Sequence, residues 1–198
     1  ALGGTKVIAL DAARETNAPA TATKVYSRPL DSLLKPLMHR SDNFYAEQAL
    51  LMVGKGLHQS FDDKKTIAYL LANDLADLAQ KPNWVDGSGL SRYNLFTPEN
   101  FTSILHKMYK AYSFERLQNI FPTGGEVGGT LSSNYKNLNG KIFAKTGTLS
   151  GQVALSGYLI TKKGKTLIFS VLVNNHTTTA SNVRKAVEQF IQVLYNKN

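Results

Sequence analysis

The chain has 198 residues, with 23 Lys plus Arg against 14 Asp plus Glu, a formal net charge of +9 at pH 7. Apolar residues make up 42% of it, too many for a disordered chain, and its length suits one domain or a large piece of one. No apolar run reaches the roughly 18 residues a bilayer span needs, and the absence of cysteine excludes disulfides, thiolate zinc sites and cysteine nucleophiles.

In chain order, Lys6–Leu10 reads as an edge strand and the small and polar residues through Asn17-Ala18-Pro19 as a linker. Leu30–Met38 is a short apolar stretch interrupted by Pro36. A helix is predicted from Asn43 to Gly54, with the glycine as its stop. Residues 62–80 carry the clearest helical period: Ile67, Leu70, Leu71, Leu75 and Leu78 share a face, Asp62 and Asp63 favour the N-terminus, and Lys81-Pro82 ends it. Asp86–Asn94 is loop chemistry. Thr97-Pro98-Glu99 supplies an N-cap, a first-turn proline and a first-turn acid to a helix predicted to bury Phe101, Ile104, Leu105, Met108 and Tyr112. Residues 122–140, rich in Gly and Asn, form a long loop of the kind that often carries function. The period then changes. Lys141–Lys145, Val153–Thr161 and Lys165–Val173 are predicted strands, the last two joined at Lys162-Lys163-Gly164. A closing helix over 178–195 is predicted to bury Val183, Val187, Phe190, Ile191 and Leu194. Helices first, then an antiparallel sheet, then a packed terminal helix specify α+β layers rather than βαβ units.

The positive charge favours anionic partners: nucleic acid, an anionic cell-wall polymer or a membrane surface. The basic residues are spread along the chain, and no nucleic-acid-binding motif appears, so a solvated basic surface without nucleic acid is the expectation. His39, His58, His106 and His176 show no metal-ligand spacing, so no metal and no cofactor is expected.

Two short motifs bear on chemistry. Ser41-Asp42-Asn43 precedes a predicted helix. Alone it reads more readily as an N-cap, and roughly 0.5 chance matches to Ser-x-Asn are expected in this length; Ser132-Ser133-Asn134 is another match. Lys145-Thr146-Gly147 stands at the end of a predicted strand; a chance match is rarer, roughly 0.05 per chain, and alone it reads equally as a strand lysine beside a turn. Together, in this order, they are two of the three signatures of penicillin-binding proteins and serine β-lactamases. In that chemistry a serine attacks the carbonyl of a D-Ala-D-Ala peptide or a β-lactam. Ser41 passes a proton towards the leaving nitrogen, the Asn43 amide holds the substrate, and Lys145 sets positive charge beside the serine. The hydroxyls of Thr146 and Thr148 bind the substrate carboxylate, the Thr148 N–H serves an oxyanion hole, and Gly147 lets the substrate approach the strand.

More of the chain fits one branch. Leu37–Glu47 (LMHRSDNFYAE), Asp86–Arg92 with Thr97-Pro98, Gly129-Thr130-Leu131 and Lys145–Gly157 (KTGTLSGQVALSG) resemble the D-Ala-D-Ala carboxypeptidase/endopeptidase family, the low-molecular-mass class C penicillin-binding proteins. The resemblance runs from about Leu30 to Asn175. It implies a transpeptidase/β-lactamase-like fold, an antiparallel sheet flanked by helices, of which residues 29–198 are the C-terminal portion and 1–28 a segment leading in from upstream. It also implies a periplasmic or extracytoplasmic location, peptidoglycan stem peptides as substrate and β-lactam antibiotics as ligands. Asp86 and Ser88 match the family's Asp-Gly-Ser-Gly stretch, which reads as a structural role for Asp86 ahead of substrate contact.

The family's nucleophile lies in a Ser-x-x-Lys far upstream of Ser-x-Asn, at the start of a buried helix. Two matches occur here. Ser32–Lys35 lies just before Ser41 and is followed by Pro36, which disfavours helical geometry at Lys35. Ser133–Lys136 falls in the Gly/Asn-rich loop. Neither fits, so the nucleophile is expected in an N-terminal part of the same protein, outside this chain. The rival readings are a β-lactamase or esterase of the same superfamily, and a non-catalytic peptidoglycan-binding relative that lost its nucleophile.

Overall fold

The structure is a computed structural model and describes residues 28–198, so the predicted strand at Lys6–Leu10 and the linker after it lie outside the described residues. Three helices come first: α1 (Asp31–Arg40), α2 (Asn43–His58) and α3 (Asp63–Ala72). Next are α4 (Pro98–Ala111) and α5 (Phe114–Ile120), then a 3₁₀ turn at Lys136–Leu138. The sheet is β1 (Ile142–Leu149), β2 (Gln152–Ile160) and β3 (Thr166–Asn174), antiparallel in that spatial order, and α6 (Ala180–Lys197) closes the chain.

The two faces of the sheet follow from the strand period. Ile142 and Ala144 of β1, with Val153, Leu155 and Leu159 of β2, pack against Val183, Val187 and Ile191 of α6. The opposite face carries Phe143 and Tyr158, which meet Leu105 of α4, Leu117 and Ile120 of α5, and Met38 of α1. Tyr158 is fully buried and donates its hydroxyl to the Leu105 carbonyl at 2.8 Å, which satisfies the one polar atom of that ring. Helices therefore flank both faces of an antiparallel sheet, the α+β layering that the element order predicts and the flanked sheet that the resemblance implies.

Several boundaries differ from the sequence reading, each for a local reason. The helix predicted to stop at Gly54 runs on to His58, and Gln59 (φ 57°) is its left-handed cap. Gly54 is there because a Cβ would overlap the Thr66 hydroxyl of α3, so the glycine serves a close helix crossing. The helix predicted over 62–80 ends at Ala72. Asn73 turns its backbone away (φ −121°, ψ −78°) and its side-chain amide donates to Tyr69 O at 2.9 Å. Pro36 does not break α1, which stays helical through it and through Lys35. The segment after α4 forms the short helix α5, capped by Ser113, which the sequence reading did not separate from its surroundings. Tyr112 and Phe190, both predicted buried, are about half exposed at 48% and 50%; the Arg116 guanidinium lies over the Tyr112 ring at 4.5 Å. β1 extends past Lys145 through Thr146-Gly147-Thr148 to Leu149, because Leu149 pairs with Gln152 around a tight turn at Ser150-Gly151.

Candidate active site

Among the described residues β1 is an edge strand, and beyond its bridge from Phe143 to Thr123 its open edge forms one wall of the site. Successive residues point to opposite faces. Thr146 and Thr148 share the α6 face with Ala144, whereas Lys145 and Gly147 share the face of Phe143, toward α1. The Ala144 N–H points outward, to Pro122 O at 3.0 Å. By the alternation of an antiparallel ladder, the N–H groups of Thr146 and Thr148 point outward too.

Ser41 reaches this edge from the helical layer. It occupies the junction of α1 and α2 in the left-handed region (φ 54°, ψ 52°), with its N–H bonded to Leu37 O. A non-glycine residue there carries about 1 kcal/mol of strain. The capping task predicted for the Ser-Asp-Asn motif falls to Asp42 alone, whose carboxylate accepts from Tyr45 N at 3.0 Å. The Ser41 hydroxyl is thereby free to face β1, where it accepts a hydrogen bond from the Lys145 ammonium. Lys145 also donates to Thr146 O at 2.8 Å. Burial lowers the Lys145 pKa from its usual 10.5 to about 8.

A groove of about 480 Å³ opens beside this contact, and Ser41, Thr146, Gly147 and Thr148 line it. Its other walls come from Thr130–Leu131, Ser133–Tyr135 and Arg184. Asn43 is the first residue of α2, is exposed and does not line the groove. Asp86 and Ser88 do not line it either. The Asp86 carboxylate accepts from Gly89 N at 2.6 Å, Ser91 N at 2.7 Å and Asn94 Nδ2 at 2.9 Å, which folds the 86–94 loop. Of the two Ser-x-x-Lys matches, Ser32 and Lys35 lie exposed on α1. Ser133 is exposed on the groove's loop wall, and the Lys145 amine bonds Ser41 rather than Ser133.

Several residues that sequence reasoning missed hold these parts in place. Glu47 of α2 accepts from Gly87 N at 3.1 Å and Ser88 N at 2.9 Å, fastening the 86–94 loop to the Ser41 helix pair. Glu126 accepts from Thr123 N at 3.1 Å and lies 3.1 Å from His39 Nδ1, while Thr130 N donates to His39 O at 3.0 Å. Glu188 of α6 accepts from Tyr135 N at 2.5 Å and Asn134 Nδ2 at 3.2 Å. The Gly/Asn-rich loop is thus tied to α1 at one end and to α6 at the other. Glu47 lies within the LMHRSDNFYAE run, yet nothing in one sequence pairs it with a loop 40 residues later. Among the described residues no group of three His, Asp or Glu side chains is placed to hold a metal.

A helix-junction serine bonded to the half-buried lysine of an edge strand, in a sheet covered by helices on both faces, is the arrangement of a transpeptidase/β-lactamase-like fold. The chain belongs to the D-Ala-D-Ala carboxypeptidase 3 (S13) family, whose profile matches residues 3–194. It is 32% identical over 190 residues to D-alanyl-D-alanine carboxypeptidase DacB of Haemophilus influenzae, covering 88% of this chain and 38% of that protein. It is also 32% identical over 173 residues to the D-alanyl-D-alanine carboxypeptidase of Actinomadura sp. (strain R39), covering 78% of this chain and 30% of that one. The crystal structure of penicillin-binding protein 4 from Haemophilus influenzae, complexed with a β-lactam, superposes with a TM-score of 0.71 at 28% identity, over 86% of this chain and 42% of that one. The chain thus spans well under half the length of these relatives.

Proposed function

We propose that these residues form the lysine-and-serine half of the active cleft of a penicillin-sensitive serine D-Ala-D-Ala carboxypeptidase or endopeptidase, with the attacking serine supplied by an N-terminal part of the same protein. The observation that carries this is the hydrogen bond from the Lys145 ammonium to the Ser41 hydroxyl at the mouth of a groove lined by Thr146, Gly147 and Thr148.

The chemistry is acyl transfer in two steps. The nucleophile adds to the carbonyl between two D-alanines, and the oxyanion is held in part by the outward Thr148 N–H. Ser41 hands a proton to the departing nitrogen and is re-supplied from Lys145. A lysine with a pKa near 8 exchanges a proton close to neutral pH, whereas an ordinary lysine holds it too tightly. Water then attacks the acyl-enzyme and releases the shortened stem peptide. The Asn43 amide would join this set only by turning from its exposed position towards substrate. Asp86 acts at a distance, through the loop it folds. Stem peptides, β-lactams and an extracytoplasmic site of action follow from this assignment, and the names of the relatives support the first two.

The test is acylation by a labelled penicillin, read by mass spectrometry. The 198-residue chain alone should take no covalent label. The same residues joined to their Ser-x-x-Lys segment should be labelled on that serine and lose most labelling on Lys145→Ala. Label on Ser32 or Ser133 of the isolated chain, or no label on the joined protein, would overturn the assignment; the second outcome favours a peptidoglycan-binding relative without catalysis.

A further inference from the structure

Arg184 is a charged side chain at the groove with no salt-bridge partner among the described residues. It lies in the second turn of α6, held over the sheet by its buried neighbours Val183 and Val187. Its Nη2 donates to the Thr148 hydroxyl at 2.9 Å, and its side chain lines the same groove as Thr148. Among the described residues the ion pairs are His39–Glu126, Lys107–Asp77 and Arg116–Asp31, and Arg184 takes part in none. The carboxylate one turn on, Glu188, is engaged by the Tyr135 N–H and the Asn134 amide. An arginine near the positive end of a helix, without a counter-ion, is not explained by stability of the fold.

We propose that Arg184 is a specificity residue that binds the free carboxylate at the end of the substrate, together with Thr146 and Thr148. This rests on the acyl-transfer assignment of the groove. Because Thr148 Oγ1 accepts from Arg184, its own hydrogen is left to donate to an incoming anion. The guanidinium keeps further N–H donors in a planar fork suited to a carboxylate. A substrate anion at Thr148 therefore meets a hydroxyl donor and a guanidinium fork. An uncharged end, such as an amide, forfeits the charge-assisted part of that recognition and places its own N–H groups against donors.

The test titrates the 198-residue chain with N-acetyl-D-alanyl-D-alanine and with the same dipeptide as its C-terminal amide. NMR signals of the β1 backbone amides and of Arg184 Nε–H report binding. The acid should bind about tenfold more tightly than the amide, the scale of one charge-assisted hydrogen-bonded contact. Arg184→Gln should erase that preference, and Arg184→Lys should keep part of it. An undiminished preference in Arg184→Gln overturns the proposal. Equal weakening of both ligands also does, since that marks a purely structural side chain, and so does the absence of any response. Acetate separates this proposal from the assignment it rests on. If acetate moves the Arg184 and Thr148 signals in the wild type but leaves the Thr148 signal of Arg184→Gln in place, and the dipeptide binds no better than acetate, the anion anchor stands and the D-Ala-D-Ala assignment falls. If the dipeptide binds wild type and Arg184→Gln alike, the assignment stands and the role of Arg184 falls.

Discussion

Ser41 and Lys145, 104 residues apart, meet through a hydrogen bond that joins the helical layer to the edge of the sheet. The serine is presented by a left-handed turn between two helices, and the lysine is half-buried on an edge strand. Neither element alone would produce the contact.

The buried charge of Lys145 has a stability cost with a defined pH window. Its folded pKa, about 8, lies below the usual 10.5, so the unfolded chain binds this proton more tightly. The cost is fully present below pH 8 and is relieved as pH rises from 8 to 10.5, by about 3 kcal/mol at most. Lys145→Met should be more stable than the wild type by about 1–2 kcal/mol at pH 7, and the difference should shrink towards pH 10.5. Urea unfolding of both proteins at pH 7, 9 and 10 measures it, and subtracting one from the other removes the tyrosine titrations they share.

Ser41 separates conformation from chemistry. Ser41→Gly relieves the left-handed backbone and should unfold no more easily than the wild type, whereas Ser41→Ala should be about 1 kcal/mol less stable than Ser41→Gly. Both should remove the proton relay in the joined protein and slow acylation by penicillin by at least about 100-fold. Thermal melts and acylation rates of the two variants provide the check.

Two glycines of α2 make an internal control. A Cβ on Gly54 would overlap Thr66, whereas a Cβ on Gly56 meets nothing within 4 Å. Gly54→Ala should destabilise by about 2–3 kcal/mol through overpacking. Gly56→Ala should stabilise by about 0.5–1 kcal/mol through helix propensity. Opposite shifts in denaturation midpoint are the expected result.

Glu47→Ala should leave the Gly87 and Ser88 amides without their acceptor and cost about 1–2 kcal/mol. Hydrogen exchange at those two amides should accelerate far more than at the Gly89 and Ser91 amides, which are held by Asp86. Uniform acceleration across 86–94 would show that Glu47 does not act locally.

The α+β layering was legible because hydrophobic periods change from helical to alternating near residue 141, and the capping of α4 by Thr97 was legible from Thr-Pro-Glu. Element ends were less so. Gly54 carries the composition of a stop, and only its contact with Thr66 shows that it is a crossing point. The end of α3 at Ala72 turns on a local competition by the Asn73 side chain that periodicity does not register. At the site, the meeting of Ser41 and Lys145 was legible because their two motifs carry the family resemblance, which implies that they share a cleft. Asn43 belonged to the same motif, yet the first position of α2 turns it to solvent. Arg184, Glu47 and Glu188 act through contacts between distant segments, and one sequence contains no signal of such pairing.

The free edge of β1 has a further consequence. Pro122 O already takes the Ala144 N–H, and the Lys145 amine takes Thr146 O, so the main-chain groups at this rim are partly occupied from both sides. What is left is a docking strip only a couple of residues long, flanked by two cations. A second protein strand needs a longer uninterrupted run to zip onto a sheet. A short peptide needs no such run, so a strip of this length suits a short guest better than a second strand.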